Sequence, residues 1–323
     1  MKEYIIRRLG QLVITYFAFM TILFVVFRQL PGDPTTQYLQ DGIHPAAREE
    51  AIERFGLDQP IYIQYMDYLT DLIRFDWGTS YQSGEPVTSI VFISFWNTIF
   101  LMGITFFVAY LIGIIIGGFF GWNRGGRFER IGIIATLLSR SSPEFLTGIV
   151  LLMIFPFGLG ILPAGGMRTP GAEIATFWGR YFSFDFIYHM ILPALTGVIF
   201  YFGTPALLMR SSMINILDDD FIEIKKAEGI PDTTILFKHA VRNSMLPMTT
   251  LIAVIIGIAL GGSIVIETVF SWPGMGRAMV RATIRNDYPV AQATFFLMGS
   301  VIIFMNFVAD VAYVYLDPRV KYD

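Results

Sequence analysis

The chain has 323 residues, of which 54% are hydrophobic and only 15% charged, and its mean hydropathy is +0.58. Its 23 basic residues stand against 26 acidic ones, a balance that leaves no basic stripe for nucleic acid. The absence of cysteine excludes disulfides, thiol catalysis and cysteine-ligated metal, and His44, His189 and His239 are scattered without metal-binding spacing.

A bilayer crossing needs roughly 20 predominantly apolar residues. Six stretches qualify: Leu9 to Phe27, Thr98 to Phe120, Ile131 to Phe157, Phe186 to Met209, Met248 to Val269 and Val290 to Leu316. None alternates in the manner of a barrel strand, so an all-α integral membrane protein with six transmembrane helices is expected. The first run exceeds a signal-peptide core, and Arg28-Gln29-Leu30-Pro31 offers no small-residue cleavage site, so it is expected to remain as an anchor.

Residues 31–89 form an acidic extracytoplasmic cap region, in which Asp33, Asp41, Glu49, Glu50, Glu53, Asp58, Asp67, Asp71, Asp76 and Glu85 outnumber Arg48, Arg54 and Arg74. Pro45 to Phe55 reads as one short helix and Pro60 to Phe75 as another. Such a cap packs on the outer surface, docks an extracytoplasmic partner, or does both. Within the second and fifth spans, Gly113, Gly117 and Gly121, and then Gly257 and Gly261, permit close helix approach, at a seam between subunits, at a hinge or as tight packing within the bundle, with the packing favoured.

Short cytoplasmic loops collect lysine and arginine. Arg124, Arg127 and Arg130 follow the second span; Lys2, Arg7 and Arg8 precede the first; Arg210, Lys225, Lys226, Lys238 and Arg242 lie between the fourth and fifth; Arg319 and Lys321 end the chain. With six spans these segments share one side, so both termini are read as cytoplasmic, although Arg277, Arg281 and Arg285 sit on the opposite side. In the third span Arg140 lies about 13 Å deep at 1.5 Å per residue, a placement costing on the order of 2.5 to 3.5 kcal/mol unless the charge is paired or wetted. Glu144, four residues on, would share its helix face. The two either line a solute path or form a structural ion pair, with the ion pair favoured. Glu267, at the outer end of the fifth span, offers a gate or substrate contact against a solvated helix end, with the solvated end favoured.

Residues 210–247 interrupt the apolar runs with charge. Asp218, Asp219 and Asp220 suit a helix start, Gly229 a left-handed stop, and Pro231 blocks continuation. Asp232 is expected to cap a second helix, Thr233 to Arg242. Phe221, Ile224 and Ala227 at i, i+3 spacing would give the first helix an apolar face to plug into another protein, whereas three aspartates disfavour an anionic lipid surface.

This segment resembles the permease subunits of ATP-binding-cassette (ABC) importers, whose EAA signature is matched by Glu223, Gly229 and Leu246-Pro247, with Ile224 and Lys225 in place of the two alanines. Further runs are similar to the dipeptide, oligopeptide and nickel branch: Leu30-Pro31-Gly32-Asp33-Pro34, Phe55-Gly56-Leu57-Asp58-Gln59-Pro60, Asp76-Trp77-Gly78-Thr79-Ser80-Tyr81, Glu267 to Gly276, and Asp287-Tyr288-Pro289-Val290. The resemblance implies a type I importer permease, one domain over 1–323. Its partners would be a homologous permease, two cytoplasmic ATPase subunits, an extracytoplasmic solute-binding protein and the bilayer. ATP and Mg would be bound by the ATPases, the permease having no cofactor and no catalytic residue. It implies that Asp220, Phe221, Glu223, Ile224, Ala227 and Gly229 couple to the ATPase, that Arg277, Arg281 and Arg285 face the binding protein, and that small peptides are carried. Nickel complexes or oligosaccharides are the alternatives. A secondary transporter, the reading from another class, is expected to show repeated halves with coupling carboxylates in its spans, and Glu144 is the only deep one.

Overall fold

A computed structural model describes residues 2–29, 58–171, 176–245, 248 and 264–316. The chain divides into two compact units, Met1–Asn97 with Gly274–Phe307, and Thr98–Pro273 with Val308–Asp323.

In the first unit, helix α1 (Lys2–Gln29) has 28 residues, about 42 Å at 1.5 Å per residue and enough to cross a bilayer. Pro60 precedes α2 (Ile61–Arg74), which ends at Phe75 in the left-handed conformation, φ 58°. The expected helix from Pro60 to Phe75 is thus present. The Tyr65 ring packs 5.1 Å from Phe24 of α1, and its hydroxyl lies 2.6 Å from that of Thr21, which holds α2 on α1. Leu23, Leu72, Trp77, Val87, Val91 and Phe296 form the core with α13 (Met275–Ile284) and the near part of α14 (Tyr288–Leu316).

Helix α3 (Val87–Trp122) contributes its start to the first unit and its remainder to the second. Beyond it lie α4 (Arg127–Ser141), α5 (Glu144–Leu152), α6 (Phe177–Tyr181), α7 (Phe184–Tyr201), α8 (Gly203–Leu217), α9 (Asp220–Ala227), α10 (Asp232–Thr234), α11 (Arg242–Ser244) and α12 (Ile264–Val269). The glycine stripe of α3 packs inside the chain against α8. A β-carbon at Gly117 would lie 2.2 Å from the Ala206 carbonyl, at Gly113 2.6 Å from Pro205 Cγ, and at Gly121 2.6 Å from Met213 Cβ. Small residues let the two backbones approach where no water drives association. Gly257 and Gly261 lie outside the described residues, as do Pro45 to Phe55 and the motifs Leu30 to Pro34 and Leu246-Pro247.

Among the described residues four helices are long and apolar enough to cross a membrane, within α1, α3, α7 and α14, or five if α4 and α5 with its wide continuation count as one span. That pair corrects the expectation of a continuous crossing from Ile131 to Phe157, because it bends by 98° at Ser142-Pro143. Pro143 donates no N–H and forces Ser142 into extended geometry, φ −72° and ψ 130°. A wide π-type turn, Met153–Gly158, then forms around Pro156. The stretch Phe186 to Met209 is realised as α7 followed by α8, joined through Phe202, while most of Met248 to Val269 lies outside the described residues.

Candidate functional site

The charged segment after α8 is built on one fully buried side chain. Ile222 of α9 packs with Met209 and Met213 of α8 and with Ile235, Leu236 and Ala240 of the following wide helical turn, Ile235–Val241. This fixes the rotation of α9. Asp220, Glu223, Ile224 and Ala227, at i, i+3, i+4 and i+7, are then exposed on one face, and Ile224 is 56% exposed. Phe221 is half-buried and leans on the core, which corrects its placement on the outward face: its neighbour Ile222 claims the inward direction.

The end of α9 closes as a Schellman motif. Gly229 has φ +77°, its N–H donates to the Lys226 carbonyl, and the Ile230 N–H donates to the Lys225 carbonyl. Pro231 follows, and Ile230 packs on the same apolar cluster as Ile222. At the other end Asp219 occupies the N-cap position without a side-chain capping bond, while Asp220 and Glu223 lie in the first turn and Lys225 and Lys226 in the last, as the helix dipole favours. Asp218 is engaged elsewhere: a hydrogen bond from Arg124, 2.8 Å long, holds its carboxyl below the usual carboxylate range. Asp232 is the first helical residue after Pro231 and makes no capping bond, a correction to its expected role.

The residues singled out for a solute path are separated. Arg140 is exposed near the end of α4, with its Cγ and Cδ against Gly203 of α8, so it is not a charge buried among helices. Glu144 opens α5 beyond the 98° bend, and the shared helix face assumed for the two does not exist. Glu267 is fully buried and accepts a 2.6 Å hydrogen bond from Thr98 Oγ1, which overturns the solvated helix end. The Trp272 N–H turns back to the Glu267 carbonyl at 2.8 Å, so the run Glu267 to Trp272 folds as a wedge. Phe270 and Trp272 enter the core beside Phe186, Leu101 and Leu192.

Two quoted motifs meet in the first unit across 207 residues, a contact the sequence reading missed. Asp287, almost completely buried, accepts from Ser80 Oγ at 2.5 Å and from the Tyr81 N–H at 3.0 Å. Ser80 Oγ in turn accepts from the N–H groups of Gln82 and Ser83. One carboxylate therefore fixes the loop after α2 to the turn before α14. Motif membership of both residues was the available signal; their pairing was not. Asp71 borders a cavity of ≈ 660 Å³ with Arg28, Tyr68 and Tyr288. Burial, then Asp76 and Asp67, push its carboxyl above the usual range.

Four or five helical segments long and apolar enough to cross a membrane, among the described residues, are those of a membrane-embedded protein. The chain belongs to the family of binding-protein-dependent transport system inner membrane components: residues 109–322 match that family, and residues 1–102 match its N-terminal counterpart. It is a multi-pass inner-membrane permease subunit of an ABC importer, a transport component and not an enzyme, and membership implies ATPase and binding-protein partners. Similar proteins include an oligopeptide transport system permease protein, AppB, of Bacillus subtilis, 32% identical with all of both chains covered. A di/tripeptide transport system permease protein, DppB, of Pseudomonas aeruginosa is 32% identical over 100% of this chain and 99% of its own. A glutathione transport system permease protein, GsiC, of Salmonella typhimurium is 34% identical over all of both chains. A chain of the MetNI methionine ABC transporter, in inward-facing conformations, has a TM-score of 0.56 at 14% identity, covering 72% of this chain and 99% of that one; the likeness is one of fold.

Proposed function

We propose that this chain is one permease half of a peptide importer. It pairs with a homologous permease, two cytoplasmic ATPase subunits and an external binding protein, spans the membrane six times, and keeps both termini in the cytoplasm. The observation that carries the reading is the face formed by Asp220, Glu223, Ile224 and Ala227, presented to solvent by a helix whose opposite side is locked on Ile222. A helix so anchored transmits a push to α8 instead of rolling under it. ATP-driven closure of the ATPase pair displaces α9, and the spans alternate between inward and outward openings, in proportion to the differential affinity of the partner for the two states.

A small peptide is the solute best supported, because full-length relatives at 31–34% identity are named for oligopeptide, di/tripeptide, dipeptide and glutathione transport. Arg140, exposed beside Gly203, is the path residue retained from the sequence, with Glu144 beyond the bend; Glu267 belongs to the packed interior. Reconstituted complexes tested for ATP-dependent uptake of labelled dipeptides, oligopeptides and glutathione, with a nickel chelate and an oligosaccharide in parallel, decide the solute. Uptake restricted to the chelate or the sugar would contradict the peptide assignment.

A further inference from the structure

A polar contact behind α9 carries more than its position in the sequence suggests. Glu129, in the first turn of α4, is only 5% exposed. Its Oε1 accepts from Arg210 Nε at 2.6 Å and also meets Arg210 Nη2, while Oε2 accepts from the Gly125 N–H at 2.5 Å. Gly125 has φ +79°, so glycine is what lets this turn aim its N–H at the carboxylate. Its neighbour Arg124 reaches Asp218. Arg210 and Asp218 stand about 12 Å apart along the helix at 1.5 Å per residue, so the short α3–α4 turn is fastened at two points along the last turns of α8. Farther along α4, Thr136 and Arg140 pack on Gly203, and Ser139 Oγ donates to the Ile199 carbonyl. Helix α4 therefore lies lengthwise against α7 and α8, and α8 runs directly into α9.

We propose that Glu129 and Arg210 form a transmission clamp, which makes α4 and the α3–α4 turn move as one body with α8 and the coupling helix, so that displacement of α9 reaches the bend at Pro143. The inference rests on the reading of α9 as the helix that receives the ATPase. Glu129 and Arg210 act through the helices they join and are positioning residues. The buried, multiply bonded carboxylate is the directional part of the clamp. The exposed Arg124–Asp218 pair is of the kind that contributes little.

The test uses the assembled importer and the fact that this chain has no cysteine. With partner thiols blocked, spin labels at Leu138→Cys on α4 and Asp232→Cys beyond α9 report one distance, in nucleotide-free and ATP-trapped states. The clamp predicts the same narrow distance distribution in both states for the otherwise unaltered chain. With Glu129→Ala the distribution roughly doubles in width, and ATP consumed per solute imported rises about tenfold, a typical size for a coupling between sites. Arg124→Ala leaves the ratio within about twofold. A distance that shifts between states in the unaltered chain, or Glu129→Ala complexes with unaltered distance and ratio, would overturn the clamp. If Glu129→Ala does not assemble, Glu129→Gln, which keeps the side-chain volume, decides by the same two readouts. Failure of Ile224→Cys on the exposed face of α9 to cross-link to an ATPase subunit would instead sink the reading of α9, a distinguishable result.

Discussion

The α9 region and the loop junction at Asp287 are both anchored segments, but opposite interactions hold them. Ile222 secures α9 by filling an apolar niche with Met209, Met213 and Ile235, a non-directional attachment whose strength scales with the volume packed. Asp287 secures the loop after α2 by accepting two aimed hydrogen bonds, an attachment that is either made or lost. The contrast teaches how each region is held: α9 has a fixed inner face and an exposed charged outer face, as the proposed coupling role requires, whereas a loop junction needs one geometry.

The largest effect expected is at Ile222→Ala, which opens a cavity under α9 and costs about 3 kcal/mol by the usual range for core truncations. Denaturation in mild detergent measures it, and Ile222→Val at about 1 kcal/mol would show the grading by volume. Asp287→Ala is expected to cost about 2 kcal/mol by leaving the Ser80 hydroxyl and the Tyr81 N–H without their acceptor. An equal loss in Ser80→Ala, with no further loss in the double variant, would show the all-or-none character of the junction. Glu223→Ala should leave stability within about 0.5 kcal/mol, the range of exposed sites, while uncoupling hydrolysis from uptake, read as ATP consumed per solute imported.

The smallest effect concerns Asp71. Burial, and then Asp76 and Asp67, raise its carboxyl, so the native state binds that proton more readily than the unfolded chain. Its contribution therefore becomes more favourable as pH falls through the raised native value. Asp71→Asn should stabilise the protein by a few tenths of a kcal/mol at neutral pH, an advantage that vanishes in acid. Melting curves at two pH values check the sign.

Local signals accounted for what was legible in the sequence. The stop of α9 at Gly229 and Pro231, and the α2 helix after Pro60, depend on backbone preferences that act within a few residues, and both stand as read. The rotation of α9 was not legible, because i, i+3 spacing selects a stripe without saying which stripe meets Met213. The bend at Pro143 was written in the chain, since the residue before proline avoids helix geometry, but the apolar continuity of Ile131 to Phe157 concealed it. Burial of Glu267 and the junction of Ser80 with Asp287 required contacts 169 and 207 residues away in the chain. No local pattern announces such distances.

The most direct measurement places a single cysteine in this cysteine-free chain, at Ile224→Cys in one preparation and at Ile222→Cys in another, and cross-links each in native membranes. An ATPase subunit captured at position 224 and not at 222 is the expected result, since one side chain faces outward and the other is enclosed. Capture at neither position, or equally at both, would contradict the assignment of the α9 face to ATPase docking.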